Sequence, residues 1–141
     1  MHRLSNVLMT GFALTLVIVM AASARAQEPG GSAAARAVKN PVASIPASVT
    51  AGAATYKKYC AFCHGATAKG DGALTPKGMM PADLTDATWV RGETDGEIFA
   101  VIMGGAGPTF EMKGYKGAIP DKDAWNVVNF LRSLAPPTAA R

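Results

Sequence analysis

Apolar residues recur at intervals of three and four in three stretches of the chain, and this spacing indicates one buried face of an α-helix. The clearest stretch lies towards the C-terminus, where the repeating residues are Ala124, Val127, Val128, Leu131 and Leu134. We expect Asp121 to cap this helix and Pro136-Pro137 to end it, since proline cannot continue a helix. The pattern therefore predicts a final helix with one apolar face.

A helix in the middle of the chain is predicted to start at Ser48 or Thr50, either of which is a suitable N-cap residue. Its helically spaced apolar residues are Ala51, Ala54, Tyr56, Tyr59 and Cys60. Gly65 is expected to end it, because glycine readily adopts the left-handed conformation that follows many helices. This helix leads into residues 60–64, which hold both cysteines of the chain.

The remaining helical signal is short. Residues 94–97, Thr-Asp-Gly-Glu, have the spacing of a capping box. The apolar face that follows consists of Ile98, Val101 and Ile102, and the glycine pair at 104–105 is expected to stop the helix. Residues 66–92 carry six glycines or prolines and are predicted to be irregular. Because no segment shows a convincing period of two, the patterns predict an all-α fold.

The N-terminus has the features of an export signal. Residues 1–3 are basic, residues 7–22 are almost entirely apolar, and Ala24-Arg25-Ala26 resembles a signal-peptide cleavage site. We therefore predict a cleavable signal peptide over 1–26, with an uncleaved signal anchor as the alternative. The domains predicted after it are a flexible Ala/Pro/Gly-rich arm over 27–47, one functional domain over 48–136 and a tail over 137–141.

The charge of the chain changes when this leader is removed. The full sequence has 14 basic and 10 acidic residues, and its pI is about 9.3. Cleavage removes Arg3 and Arg25 and leaves a net charge of only +2. The high pI therefore does not indicate nucleic-acid binding, and we expect no nucleic-acid partner. Membrane contact is expected only if the leader is retained.

The segment Cys60-Ala61-Phe62-Cys63-His64 carries the most specific chemical information in the chain. Cys-x-x-Cys-His is the attachment motif of a c-type haem. Two thiols on one helical turn can bond to the same porphyrin edge, and the adjacent imidazole can bind the iron as the proximal ligand. A structural zinc ion would need about four protein ligands, whereas His2 is the only other histidine and no third cysteine exists. A thioredoxin-like redox pair is disfavoured because no strand pattern precedes Cys60. A plain disulfide or a chance occurrence of the motif is a further alternative.

The sixth ligand of such an iron is less certain from the residues alone. Loss of His2 with the leader excludes a second histidine, so methionine is the expected ligand, and a thioether raises the reduction potential. Met112 is favoured because it follows a glycine-rich loop, while Met79 and Met80 are alternatives in a loop nearer to His64. Met103 is expected to pack in the core. A vacant sixth position is the remaining alternative.

The order and spacing of the segments around this motif resemble those of the class I cytochromes c, specifically the bacterial single-haem branch. The similar segments are 51–56, 60–65, 70–72, 81–84, 95–99, 112–115 and 125–134. The resemblance implies a small all-α fold of about four to five short helices wrapped around one covalent haem c. It also implies that the first and last helices cross where Gly52 meets Phe130, beside Tyr56 and Val127, and that Met112 is the distal ligand.

Two positions depart from that resemblance. Lys113 and Ala73 stand where many relatives have proline, which affects the expected loop geometry after Met112 and after the Gly-Asp-Gly turn. The carbonyl that accepts the second ring N–H of His64 is not assigned, with the neighbourhood of Pro76 as the candidate. Trp89 and Arg91 are candidate contacts of the haem propionates.

Together these features predict a periplasmic, single-haem electron carrier without catalytic residues. Cys60 and Cys63 would be the haem anchors, and His64 and Met112 the axial ligands of the iron. Its partners would be redox proteins, namely a periplasmic dehydrogenase, an oxidase or a membrane complex. The lysines expected around the haem edge are Lys57, Lys58, Lys69, Lys113 and Lys116.

Two other functions stay open at this point. The chain could be the cytochrome c subunit of a periplasmic dehydrogenase complex, or a membrane-anchored cytochrome tethered by residues 1–46. The second of these functions is a haem enzyme or gas sensor with a vacant or labile sixth position, which Met112 and the lack of a distal histidine disfavour.

Overall fold

The computed structural model describes residues 31–86, 89–107 and 112–134. Within them the helices are α1 (Ala33–Ala37), α2 (Pro46–Tyr59), α3 (Ala61–His64), α4 (Asp95–Gly104) and α5 (Asp121–Leu134). Two short strands, β1 (Gly105–Ala106) and β2 (Met112–Lys113), pair antiparallel. The mostly helical fold confirms the predicted class, and the two-residue strands are too short to have given a periodic signal.

Helices α2 and α5 cross at a point where a side chain would not fit. A Cβ on Gly52 would lie 2.0 Å from the carbonyl oxygen of Asn126 and 2.9 Å from the Cβ of Phe130. Next to this contact, the rings of Tyr56 and Phe130 are tilted at 50° with centroids 5.2 Å apart. The close approach of Gly52 and Phe130 that the resemblance implied is therefore confirmed.

The apolar face of α5 forms the centre of the core. Its fully or almost fully buried residues are Ala124, Trp125, Val127, Val128 and Leu131. Ile98 and Ile102 of α4 are buried against this face, and the rings of Phe99 and Trp125 stack at 4.0 Å. Burying each such aliphatic side chain stabilises the fold by about 1.5–3 kcal/mol. The core thus holds α4 beside the crossed pair of helices.

A capping box begins α4, as predicted. The hydroxyl of Thr94 accepts from the backbone N–H of Glu97 at 3.3 Å, and the Glu97 carboxylate accepts from the Thr94 N–H at 3.0 Å. Burial by itself raises the pKa of Glu97, but the hydrogen bonds from Thr94 and the guanidinium of Arg36 outweigh it and hold that pKa below its usual value. Glu97 is therefore a buried, ionised anchor at the start of α4.

Residues 31–46 depart from the irregular arm that the composition predicts. Ser32 caps α1, and Arg36 reaches Glu97 with its Nε and Nη2 at 3.2 and 3.0 Å from Oε1. A Cβ on Gly96 would lie 2.0 Å from the carbonyl oxygen of Ala35, so this segment packs directly on α4. Within the predicted flexible arm over 27–47, these residues therefore form a short helix and contacts with distant parts of the chain that local periodicity does not indicate.

The helix starts also differ slightly from expectation. Helix α2 begins at Pro46, which needs no N–H partner in the first turn, and Ser48 is buried instead of capping. The Ser48 hydroxyl donates to Asn126 Oδ1 at 2.7 Å, and Asn129 donates to Ser48 Oγ at 2.7 Å. Asp121 is the first residue of α5 and not its cap. The leader over 1–26 and the tail over 137–141 lie outside the described residues.

Candidate functional site

The two cysteines and the histidine of the attachment motif lie at a break between two helices. Cys60 is the C-cap residue that follows α2, while Cys63 and His64 belong to the single turn of α3. The N–H of His64 donates to the Cys60 carbonyl at 2.9 Å, and Gly65 then ends the turn with a φ of 79°. Cys60 and Cys63 do not form a disulfide with each other. We call residues 60–65 the attachment segment.

The loop that follows runs back along the attachment segment. The N–H of Gly72 donates to the Cys63 carbonyl at 3.0 Å, and the Thr75 hydroxyl donates to the same carbonyl at 3.0 Å. A Cβ on Gly72 would lie 2.3 Å from the carbonyl oxygen of Phe62. The predicted Gly-Asp-Gly turn thus brings the chain into direct contact with the attachment segment. Thr75 gave no signal in the sequence, because its partners are defined only by the folded loop.

His64 is buried and its ring is oriented by the backbone. Its Nδ1 lies 3.1 Å from the carbonyl oxygen of Ala82, so the ring donates there and Nε2 is the nitrogen available to a metal. Burial lowers the pKa of His64, and the bond to Ala82 partly offsets that effect. The imidazole is therefore held neutral, as a metal ligand must be. Ala82, and not the neighbourhood of Pro76, supplies the acceptor.

Ala82 can serve as acceptor because its segment is fixed on both sides. The N–H of Leu84 donates to the Ala68 carbonyl at 2.7 Å. On the other side, the Pro81 carbonyl oxygen would lie 2.3 Å from a Cβ on Gly70. No local pattern identifies such an acceptor, since any residue supplies the same carbonyl.

A cavity of about 730 Å³ opens beside the attachment segment. This volume is in the range of small-molecule and cofactor sites, about 300–1,000 Å³. Cys60, Cys63 and His64 line it, together with apolar side chains that include Ile98, Ile102, Val127 and Leu131. Burial, with a smaller contribution from the nearby Cys63, raises the pKa of the Cys60 thiol to about 12. Cys60 therefore faces the cavity as a neutral thiol. The cavity thus combines a large apolar surface with two thiols and a neutral imidazole.

The methionines differ in their relation to this cavity. Met112, Met79 and Met80 line it, but Met80 is 95% exposed and Met79 is 39% exposed. Met112 is half-buried in β2 and pairs with Ala106. Met103 is not one of the described residues that line the cavity, and it packs against the core as expected. Three thioethers are therefore available to a group in the cavity, and Met112 is the least exposed of them.

The remaining predicted residues differ in their relation to the cavity. Trp89 and Arg91 both line the cavity, and the Trp89 indole N–H donates to the Asp86 carbonyl at 2.9 Å. Lys113 lines it as well. The five lysines expected at the edge, Lys57, Lys58, Lys69, Lys113 and Lys116, are all exposed.

The residues present fit a covalent haem. A porphyrin needs a wide apolar enclosure, two thiols on one edge and a neutral nitrogen ligand, and the lining of this cavity supplies each of these. In residues 31–86, 89–107 and 112–134, no group of three or more His, Cys, Asp or Glu side chains could hold a metal ion. The same residues contain no helix that is both long and apolar enough to cross a membrane.

Comparisons with known proteins agree with this geometry. Residues 47–131 match the model of the family described as cytochrome c oxidase, cbb3-type, subunit III. No curated protein matches the chain.

Two solved structures share the fold. One is a reducing HAO-like protein complex of Kuenenia stuttgartiensis, with a TM-score of 0.61, 21% identity and coverage of 70% of this chain and 50% of that one. The other is cytochrome CL of Methylophaga aminisulfidivorans MPT, with a TM-score of 0.51, 22% identity and coverage of 62% and 53%. The chain therefore spans about half the length of each.

Proposed function

Because the chain belongs to the family of cbb3-type cytochrome c oxidase subunit III and is a class I c-type cytochrome carrying covalent haem c, we propose that it is a periplasmic one-electron carrier between redox partner proteins. The family carries electrons and is not a family of enzymes. Its cytochrome c domains are typically extracytoplasmic. In our proposal Cys60 and Cys63 are the thioether anchors, and His64 and Met112 are the axial ligands.

One observation carries the proposal: Cys60, Cys63, His64 and Met112 all line a single apolar cavity. When bound, haem c supplies an iron that accepts and releases one electron. The bond from His64 to the Ala82 carbonyl orients the ring and leaves Nε2 for the iron. Most of the lining is apolar, so few polar groups would have to rearrange when the charge changes. These residues suit storage and release of an electron, with no acid or base required.

Met112 is preferred over the other lining methionines because of its setting. It lies in a strand that pairs with β1, and it is half-buried, whereas Met80 is almost fully exposed. A ligand held by its backbone loses less conformational freedom on binding than an exposed loop residue does. The thioether also favours the reduced iron and raises its reduction potential.

The partner class follows from the exposed cations near the cavity. Lys113 borders the cavity, and the other four lysines of the predicted group are exposed on the same small domain. Such a surface would attract an acidic face of a periplasmic dehydrogenase, an oxidase or a membrane complex. Association rates with the true partner should fall as salt rises, and rates that do not respond to salt would contradict steering by these lysines.

A second candidate is a cytochrome c subunit of a larger assembly. The family description names an oxidase subunit, and one structure with the same fold belongs to a multi-protein complex. Co-purification of a catalytic chain would support this candidate. Intact-mass analysis of the mature N-terminus would separate a free carrier from a form tethered by residues 1–46.

The ligand assignment is tested by absorption spectra of holoprotein matured in a host with c-haem machinery, oxidised and reduced, with and without carbon monoxide. We expect the wild type and Met80→Ala to be low-spin and indifferent to carbon monoxide, and Met112→Ala to bind it. Met80→Ala is the matched control because it removes a thioether that also lines the cavity. Carbon monoxide binding by Met80→Ala alone would make Met80 the ligand, and binding by the wild type would favour sensing or catalysis.

A further inference from the structure

Tyr115 forms a long-range hydrogen bond at the edge of the cavity. Its hydroxyl donates to the carbonyl oxygen of Tyr59 at 2.7 Å, across 56 positions of sequence. The two rings also meet edge to face, with centroids 5.8 Å apart at 69°. Tyr59 is the last residue of α2 and directly precedes Cys60. Tyr115 therefore contacts the chain immediately before the attachment segment.

The backbone around Tyr115 is fixed to another part of the fold. We call residues 112–116 the methionine segment. The N–H groups of Tyr115 and Lys116 donate to the carbonyls of Ile102 and Met103, both at 3.0 Å. A Cβ on Gly114 would lie 2.6 Å from the Met103 carbonyl oxygen. The methionine segment thus lies tightly against the end of α4 through its backbone, and it reaches α2 through the Tyr115 side chain.

The carbonyl that Tyr115 contacts is one that a helix leaves open. The last four carbonyls of an α-helix have no partner within the helix, and that of Tyr59 belongs to this group. The Tyr115 hydroxyl satisfies it. Burial raises the pKa of Tyr115, so its hydroxyl stays protonated and remains a donor.

We propose that Tyr115 is a positioning residue, which holds the methionine segment at a set distance from the attachment segment through the Tyr59 carbonyl and so keeps Met112 in place as an iron ligand. This inference rests on the proposed function, since it assumes that Met112 is that ligand. Tyr115 does not touch the iron in this account. Its effect is to make displacement of Met112 more costly.

The test uses the oxidised holoprotein and titrates it with imidazole, a small ligand that competes with a methionine for the sixth position. Tyr115→Phe removes only the hydroxyl. Losing a hydrogen bond to an otherwise open carbonyl should let imidazole bind about tenfold more tightly, which corresponds to about 1.4 kcal/mol. Denaturant unfolding is measured on the same samples, because a purely structural role would lower stability without changing imidazole affinity.

Tyr56→Phe is the matched control. The Tyr56 hydroxyl is also buried and donates to a backbone carbonyl, that of Gly65, at 2.8 Å. Its partner lies only nine positions away, within the attachment side of the cavity. We expect this variant to lose stability and to bind imidazole within about twofold of the wild type.

The results separate this inference from the proposed function. If both tyrosine variants stay within about twofold of the wild type, or if Tyr56→Phe changes as much as Tyr115→Phe, the positioning role is overturned while His64/Met112 ligation stands. Met112→Ala is titrated in parallel and should bind imidazole most tightly of all. If Met112→Ala instead binds imidazole as weakly as the wild type, Met112 is not the ligand, and both the assignment and the role of Tyr115 fall.

Discussion

The attachment segment and the methionine segment border the same cavity but are held in different ways. Within the described residues, the hydrogen bonds of the attachment segment join it to residues no more than 18 positions away, such as Gly72, Thr75 and Ala82. The backbone of the methionine segment is also held locally, by bonds to the end of α4 and by pairing with β1. The methionine segment differs in having the bond from Tyr115 to Tyr59, which spans 56 positions.

This difference has an energetic consequence. A contact across 56 positions costs more entropy to close than one across 18 positions or fewer. Several hydrogen bonds join the loop to the attachment segment, so its geometry should persist after the loss of one of them. The bond from Tyr115 joins the methionine segment to α2, so its loss should alter ligand binding before it alters stability.

The largest effect is expected at Gly72, where a side chain would clash with the attachment segment. A Cβ at Gly72 would lie 2.3 Å from the Phe62 carbonyl oxygen and 2.4 Å from the Cys63 carbonyl carbon, so Gly72→Ala must displace the loop. Overpacking of this kind costs about 1–3 kcal/mol. We expect a lower yield of covalent haem on denaturing gels and a lower unfolding midpoint.

Gly31→Ala is the control for that substitution, because no atom of the described residues beyond its chain neighbours lies within 4 Å of a Cβ at Gly31. It should change stability by no more than about 0.5 kcal/mol. Normal haem attachment in Gly72→Ala would contradict the view that the loop is closed tightly on the attachment segment.

An intermediate effect is expected when the pH is lowered, because Glu97 at the start of α4 becomes protonated. The pKa of Glu97 is held below its ordinary value of 4.5, so ionised Glu97 stabilises the fold above that pH, and this contribution is lost as pH falls through the lower value of the folded state. Protonation weakens the start of α4, whose other end supports the methionine segment. This loss should appear in the acid branch of the plot of stability against pH, with unfolding followed by circular dichroism.

Glu97→Gln should be less stable than the wild type at neutral pH by about 1–3 kcal/mol and should show a flatter acid branch. Arg36→Ala gives a graded comparison, because the Arg36 side chain is 61% exposed and the Thr94 donors remain, so its cost should be at most about 1 kcal/mol. An unchanged acid branch in Glu97→Gln would show that other carboxylates control acid unfolding.

The smallest effect is expected for Thr75→Val. The Thr75 hydroxyl donates to the carbonyls of Cys63 and Gly72, but Gly72 also donates to Cys63 through its own N–H. Loss of the hydroxyl should cost about 1 kcal/mol in denaturant unfolding and leave imidazole affinity unchanged. A gain in imidazole affinity equal to that of Tyr115→Phe would erase the difference between the two sides of the cavity.

Much of the helical framework could be predicted because its signals are local. The capping box at 94–97, the glycine pair that ends α4 and the apolar face of α5 each depend on residues within one element. The packing of residues 31–46 could not be predicted in this way. Arg36 bonds to Glu97 and Asn40 bonds to Asn129, in each case more than 60 positions later in the chain. Their role follows from packing that no local pattern records.

A covalent haem could be predicted from the sequence, because the spacing of Cys60, Cys63 and His64 matches one porphyrin edge and one iron. The crossing at Gly52 was implied by the resemblance to class I cytochromes c, and the structure shows a close approach there. The bond that orients His64 at Ala82 and the bond from Tyr115 to Tyr59 became visible in the folded chain alone. A backbone carbonyl is the same in every residue, so its partner is defined by where the chain folds and not by which residue carries it.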